Sequence, residues 1–188
     1  MNILTDKIFT RRLLLRKTAE ADLPLLVEWS NCVEIYGDFL TPEQMTIEEG
    51  KRNFAAGLFW NGQSRTFIIE LQHEGIPIGT IHYWLRSENR EVAIVALKIA
   101  RLDLRNQGYG TEAQKFLIMH LFEKMMLKAI EMYTDIDNLS QQRCLKKLGF
   151  KLVDSLQYED QQINRTGHLF RLTLEDYKQV PLYKFHYE

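Results

Sequence analysis

The sequence predicts an α+β fold: a mixed, mostly antiparallel sheet of about seven strands with helices on both faces. Three observations predict it. Between Thr66 and Ile99, short runs rich in β-branched and aromatic residues alternate with turn residues, the mark of an antiparallel meander. From Val92 onward a strand, a glycine turn and a helical run to about Lys128 follow in order. Ala129 to Thr134 then reads as another strand, and a strand–helix–strand unit of this length sets its strands parallel through a right-handed crossover.

Taken in order, Arg12 to Arg16 is an apolar run flanked by charge and reads as a first strand. Thr18 to Asp22 supplies helix-start residues for a helix through Trp29, with Pro24 in its first turn. Thr46-Ile47-Glu48-Glu49 has the spacing of a capping box and opens a second helix through about Phe59, ended by Asn61-Gly62. Thr66–Leu71, Ile76–Leu85 and Val92–Ile99 are strands joined by short turns. In the long helix Ala113, Phe116, Leu117, Leu121 and Met125 form the apolar stripe, with Glu112, Lys115, Glu123 and Lys124 mostly away from it. Asn138 to Leu148 is a short helix closed by Gly149, with Phe150 folding back on its last turn. Lys151–Val153 and His168–Leu174 are expected as a terminal strand pair, separated by a polar region from Gln157 to Gly167.

The 188 residues, 45% hydrophobic and 26% charged, fit one soluble domain spanning residues 1–188. A net charge of −1 nominates neither nucleic acid nor an anionic membrane as partner. Met1 to Arg16 carries scattered charges and reads neither as a signal peptide nor as a membrane span. Cys32 and Cys144 have no metal-ligand spacing and form no disulfide framework, so the expected setting is reduced and cytoplasmic, with no metal.

The chemistry concentrates in Arg105-Asn106-Gln107-Gly108-Tyr109-Gly110-Thr111. Glycines let the backbone turn tightly between strand and helix, and the N–H groups of the helix start present the positive end of the dipole. This is the physical recipe for a phosphate-bearing ligand. Neither the Lys-Ser/Thr of a P-loop nor a full dinucleotide glycine pattern is present.

With these motifs in this order, the chain resembles the GNAT superfamily of acetyl-CoA-dependent N-acetyltransferases, in its ribosomal-protein-alanine and spermidine acetyltransferase branch. The likeness runs from Arg11 to about Tyr177. Arg105-x-x-Gly108-x-Gly110 matches the family's pyrophosphate loop; Asn138 followed by Lys147-Leu148-Gly149-Phe150 matches its next helix; and Arg11-x-x-Leu14-Leu15 matches its start. The resemblance implies a central parallel strand pair that splays apart to admit pantetheine. It implies coenzyme contacts from Leu97, Lys98 and Ile99, from Arg105 through Thr111, and from Asn138, which is also a natural helix N-cap. It implies direct attack of a primary amine (a protein N-terminus, a polyamine or another small amine) on the thioester, and it admits a homodimer.

Three positions depart from the family. Leu145 stands where many members place a tyrosine acid, Ile94 where a glutamate base is common, and Gln141 where a serine is common in this branch. His82, Glu91 and Asn138 are the remaining candidates for catalytic roles, His82 and Glu91 through water along with Asp135 and Asp137. His168, Tyr158 and the acidic group Asp154, Glu159 and Asp160 are weighed as borders of an acceptor site against a plain surface role. The alternative function is a CoA-binding sensor or partner-binding module that has lost catalysis.

Overall fold

The computed structural model describes residues 6–39, 41–160 and 163–184, and leaves the side chains of 158–160 and 163 undescribed. In chain order the strands are β1 (Lys7–Phe9), β2 (Leu13–Lys17), β3 (Ser64–Leu71), β4 (Ile76–Leu85), β5 (Val92–Ile99), β6 (Ala129–Asp135), β7 (Lys151–Asp160) and β8 (Ile163–Thr173). The helices are α1 (Leu23–Asn31), α2 (Val33–Tyr36), α3 (Ile47–Ala55), α4 (Tyr109–Glu123), α5 (Leu139–Lys147) and α6 (Leu174–Gln179). The strands form one sheet in the order β1-β2-β3-β4-β5-β6-β8-β7.

This is the expected mixed α+β architecture, with one strand more than predicted. β1 is three residues long, too short for an alternating pattern to register. The terminal strands also run further than expected. The described residues of the polar stretch, Gln157 to Asp160 and Ile163 to Gly167, form a ribbon held by its own ladder, Gln157 opposite Thr166 and Leu156 opposite Gly167, so backbone pairing replaces burial as the reason for strand. α3 stops at Ala55 instead of near Phe59, because the Phe59 carbonyl accepts from the Thr66 N–H at 2.8 Å and the chain has already turned toward β3.

Period-two alternation in β3 sends Phe67 and Ile69 to one face and Ile68 to the other. The first face carries the main core, with α4, α5 and α6 packed through Leu117, Leu121, Leu145 and Tyr177. The second packs α1 and α2 through Leu26, Trp29 and Tyr36, with Ile47 and Phe54 of α3 against them. Lys115, expected away from the apolar stripe of α4, is buried. β1, β2 and β5 all pack against α4, so its solvent face is narrower than periodicity suggests.

Among the described strands only β5 and β6 pair in parallel, and they do so over three positions, from Val92 opposite Ala129 to Ile94 opposite Glu131. Beyond that point they part. Glu131 is fully buried there, accepting from Arg86 Nε at 2.6 Å and Arg171 Nε at 2.7 Å. A buried carboxylate held by two guanidiniums fixes the place where the sheet opens.

Candidate functional site

Two cavities lie along β5 beyond the parting. The larger, about 510 Å³, lies on the α1–α3 side and reaches Thr66 of β3, Thr80 and His82 of β4 and Ala96 of β5. The smaller, about 320 Å³, lies toward the N-termini of α4 and α5. Tyr36, Leu97 and Lys98 belong to both linings, so the two spaces meet at the tail of β5.

The smaller cavity gathers most of the residues that the sequence singles out. Leu97, Lys98 and Ile99 form one wall; Arg105, Asn106, Gly108, Gly110 and Thr111 form another; Asn138 faces them. Gly108 is the N-cap of α4 in the left-handed region, with φ of +82°, a conformation glycine adopts without a Cβ penalty. Having no side chain, it makes no side-chain cap bond, whereas Thr46, Asn138 and Thr173 cap α3, α5 and α6. No N-cap side chain engages the first N–H groups of α4, and Gly110 and Thr111 line the cavity. A Cβ on Gly110 would come within 3.1 Å of Leu97 Cδ2, so glycine there keeps the helix start close to β5.

Two residues of the predicted phosphate-binding segment sit elsewhere. Gln107 Nε2 donates to the Asp103 carbonyl at 2.8 Å, and Tyr109 lies under the Arg12 guanidinium at 4.2 Å. Neither lines a cavity. Arg105 lines the cavity but directs Nε to the Ile99 carbonyl and Nη2 to the Ile35 carbonyl. It ties α2 to the end of β5 and so holds Tyr36 over the junction.

The candidates for proton transfer separate. His82 lines the larger cavity with Nε2 hydrogen-bonded to Ser64 Oγ at 2.8 Å, and burial pulls its pKa down to about 4. It is a neutral imidazole at physiological pH. Glu91 is exposed and ion-paired with Lys128 at 2.7 Å, roughly 20 Å along β5 from Leu97 at strand rise. Asn138 caps α5 by accepting from the Gln141 N–H at 3.1 Å. Ile94 and Leu145 are buried hydrophobic residues. His168 bonds Ser155 Oγ and lines neither cavity; the side chains of Tyr158, Glu159 and Asp160 lie outside the described residues.

One lining residue, Gln114, went unnoticed in the sequence. Gln114, almost fully buried, reaches back to the Gly110 carbonyl at 3.0 Å and accepts from Gln141 Nε2 at 2.9 Å. Its place four residues after Gly110 is the one pattern from which it was recoverable. Cys144 lies 3.2 Å from Thr111 Oγ1, and burial pushes its thiol pKa up against the opposing effect of Thr111, Gln114 and Lys147. Lys98 extends over the Tyr36 ring, with Nζ 3.7 Å from its centroid. Burial lowers its pKa, and Glu43 opposes that shift. Among the described residues no cluster has the ligands for a metal ion, and no helix is long and apolar enough to cross a membrane.

A family model described as an acetyltransferase (GNAT) domain matches residues 12–151. No curated protein matches the sequence. Solved structures share the fold at low identity. An acetyltransferase of the GNAT family from Bacillus anthracis is 18% identical, with 90% of this chain and 99% of that one covered and a TM-score of 0.75. AAC(6')-Ib in complex with paromomycin and acetyl-CoA is 20% identical over 90% of this chain and 98% of its own, at a TM-score of 0.76. The ribosomal alpha-N-protein acetyltransferase RimL in complex with coenzyme A is 14% identical over 90% and 99%, at 0.75.

Proposed function

The chain belongs to the GNAT acetyltransferase family, and from that premise we propose that it moves the acetyl group of acetyl-CoA onto a primary amine by direct attack on the thioester. One observation carries the proposal: two cavities meet at Leu97 and Lys98, and one of them ends at the uncapped N-terminus of α4. The acetyl-CoA and coenzyme A bound by AAC(6')-Ib and RimL support the same choice of cosubstrate.

In this reading the pyrophosphate sits on the first N–H groups of α4, where backbone donors and the helix dipole favour negative charge. Pantetheine runs toward the gap between β5 and β6 and brings the thioester to Leu97. The amine arrives through the larger cavity. Its nitrogen bonds the carbonyl carbon, the carbon–sulfur bond breaks, the thiolate leaves as coenzyme A, and the amine's surplus proton passes to water. No covalent acyl-enzyme is required, so the protein's contribution is to hold two reactants in contact.

The residues at the junction fit that role. The Lys98 cation disfavours a second positive charge beside it, and so favours the neutral, nucleophilic form of an amine. With a pKa of about 4, His82 is a poor proton sink and serves as a neutral hydrogen-bonding wall. A thiolate with a pKa of about 8.5 leaves tolerably without a dedicated acid, which accommodates Leu145. General acid–base help is worth about 10²–10⁴-fold, so a slow enzyme is expected.

Calorimetry with acetyl-CoA on the wild type, Gly108→Asp and Gly108→Asn tests the proposal. A Cβ at position 108 meets only Arg12 Nη2, at 3.4 Å, and Asp and Asn tolerate the left-handed region equally. Binding should survive in the asparagine variant and fall at least about tenfold in the aspartate variant, whose charge opposes the pyrophosphate. Absence of wild-type binding, or equal binding by both variants, sinks the idea. The buried Ile94 and Leu145 favour one second reading, a CoA-binding protein without turnover. Thiol release with any amine rejects it.

A further inference from the structure

We propose that the acceptor is a single primary amine carried on an apolar, preferably aromatic body, and not a polycation. This rests on the acetyl transfer proposed above and concerns the larger cavity alone. At about 510 Å³ it has the volume of a small-molecule site. Most of its wall surface is apolar, with Leu26, Trp29, Met45 and Phe59 among the lining residues. Trp29 and Phe59 both line it, and aromatic walls suit a flat apolar group.

The charge content decides the class. Among the described residues the lining holds one carboxylate, Glu43, and one ammonium, Lys98, so its formal charge sums to zero. His82, a further titratable residue of the wall, is neutral. A polyamine or an aminoglycoside brings several ammonium groups, and each one desolvated without a partner costs several kcal/mol. One carboxylate answers one of them, and Lys98 repels the rest. A lone amine avoids that penalty: its nitrogen loses its proton at the Lys98 junction, and its body displaces water from Trp29 and Phe59.

The test uses the full chain and three acceptors: 2-phenylethylamine, spermidine and kanamycin. Thiol release should give a kcat/KM for 2-phenylethylamine at least about tenfold above either polycation; equal or better turnover of spermidine or kanamycin overturns the proposal and leaves the transferase reading standing. Leu58 lines the cavity yet is 56% exposed, so Leu58→Asp adds a second carboxylate without disturbing the core. It should move the preference about tenfold toward spermidine while the KM for acetyl-CoA stays unchanged; an unaltered preference counts against the proposal. Calorimetry of each amine with the coenzyme A-loaded protein separates the two readings. If 2-phenylethylamine binds best but no thiol is released, the acceptor class holds and the transferase reading fails. If it binds no better than spermidine, the acceptor class fails.

Discussion

Arg12 and Glu112 lie 100 residues apart in the chain and are joined twice, the Arg12 backbone N–H donating to Oε1 at 2.8 Å and the Arg12 Nε to Oε2 at 2.7 Å. Thr10 Oγ1 donates to the same carboxylate at 2.6 Å, and Arg12 Nη1 donates to the Gln107 carbonyl at 3.1 Å. The glycine loop is therefore held from outside by the turn between β1 and β2. The acidic residue in the first turn of α4 faces that turn and leaves the cavity side of the helix start to the backbone.

Glu112→Gln tests this clamp. Burial works to raise the Glu112 carboxyl, and the bonds from Thr10 and Arg12 overcome it and hold its pKa below the usual range. The glutamine keeps the shape but loses the charge-assisted bonds, at a cost of about 1.5–3 kcal/mol in unfolding free energy. Denaturant melts read the stability, and calorimetry should show weaker acetyl-CoA binding as the loop loosens. A variant as stable as the wild type, with equal affinity, contradicts the clamp.

Gly79→Ala should be among the most damaging small substitutions in the sheet. A Cβ there would stand 2.1 Å from the Lys98 carbonyl oxygen, and the clash is with backbone, so β4 and β5 must separate. A loss of at least about 2 kcal/mol is expected in urea melts, together with weaker coenzyme binding, since the displaced segment lines both cavities. Retention of wild-type stability would show that the strands are not in this contact.

The buried His82 makes stability depend on pH in a defined window. Its folded pKa is about 4, against an ordinary value of about 6.5. Between these values the unfolded chain binds the proton and the folded one does not. Stability contributed by the neutral ring is therefore complete above about pH 6.5, declines as pH falls, and stops declining below about pH 4. The expected loss from pH 7 to pH 5 is about 2 kcal/mol, and His82→Gln should remove that part of the slope. Burial lowers His120 as well, so the difference between variant and wild type is the quantity to measure.

The fold was legible where structure is local. The strand, glycine turn and helix from Val92 onward follow one another along the chain, so periodicity and turn chemistry specify them directly. The same contiguity brings Leu97, Gly108 and Thr111 around one cavity. What the sequence concealed depends on distant contacts. Arg12 reads as a plain charge before a strand, and only the folded chain sets it against Glu112. Tyr36, on a helix of four residues, offers no periodic pattern, yet Arg105 fixes its helix over the cavity junction. The carboxylate and cation of the larger cavity come from a loop and a strand, and no spacing rule relates Glu43 to Lys98.

Where β5 and β6 part beyond Ile94 and Glu131, the tail of β5 keeps a row of peptide groups that, among the described residues, no strand takes up on that side. On a protein's outer rim such a row invites aggregation, because any extended chain can add to it. Here β6 and the β8–β7 ribbon stand beyond the gap and β4 pairs along the other side. The row is flanked on both sides, yet Ala96 to Ile99 keep part of their surface open to the two cavities that meet there. The fold thus leaves a strand border unpaired at a gap between its own strands, not on the rim of the sheet.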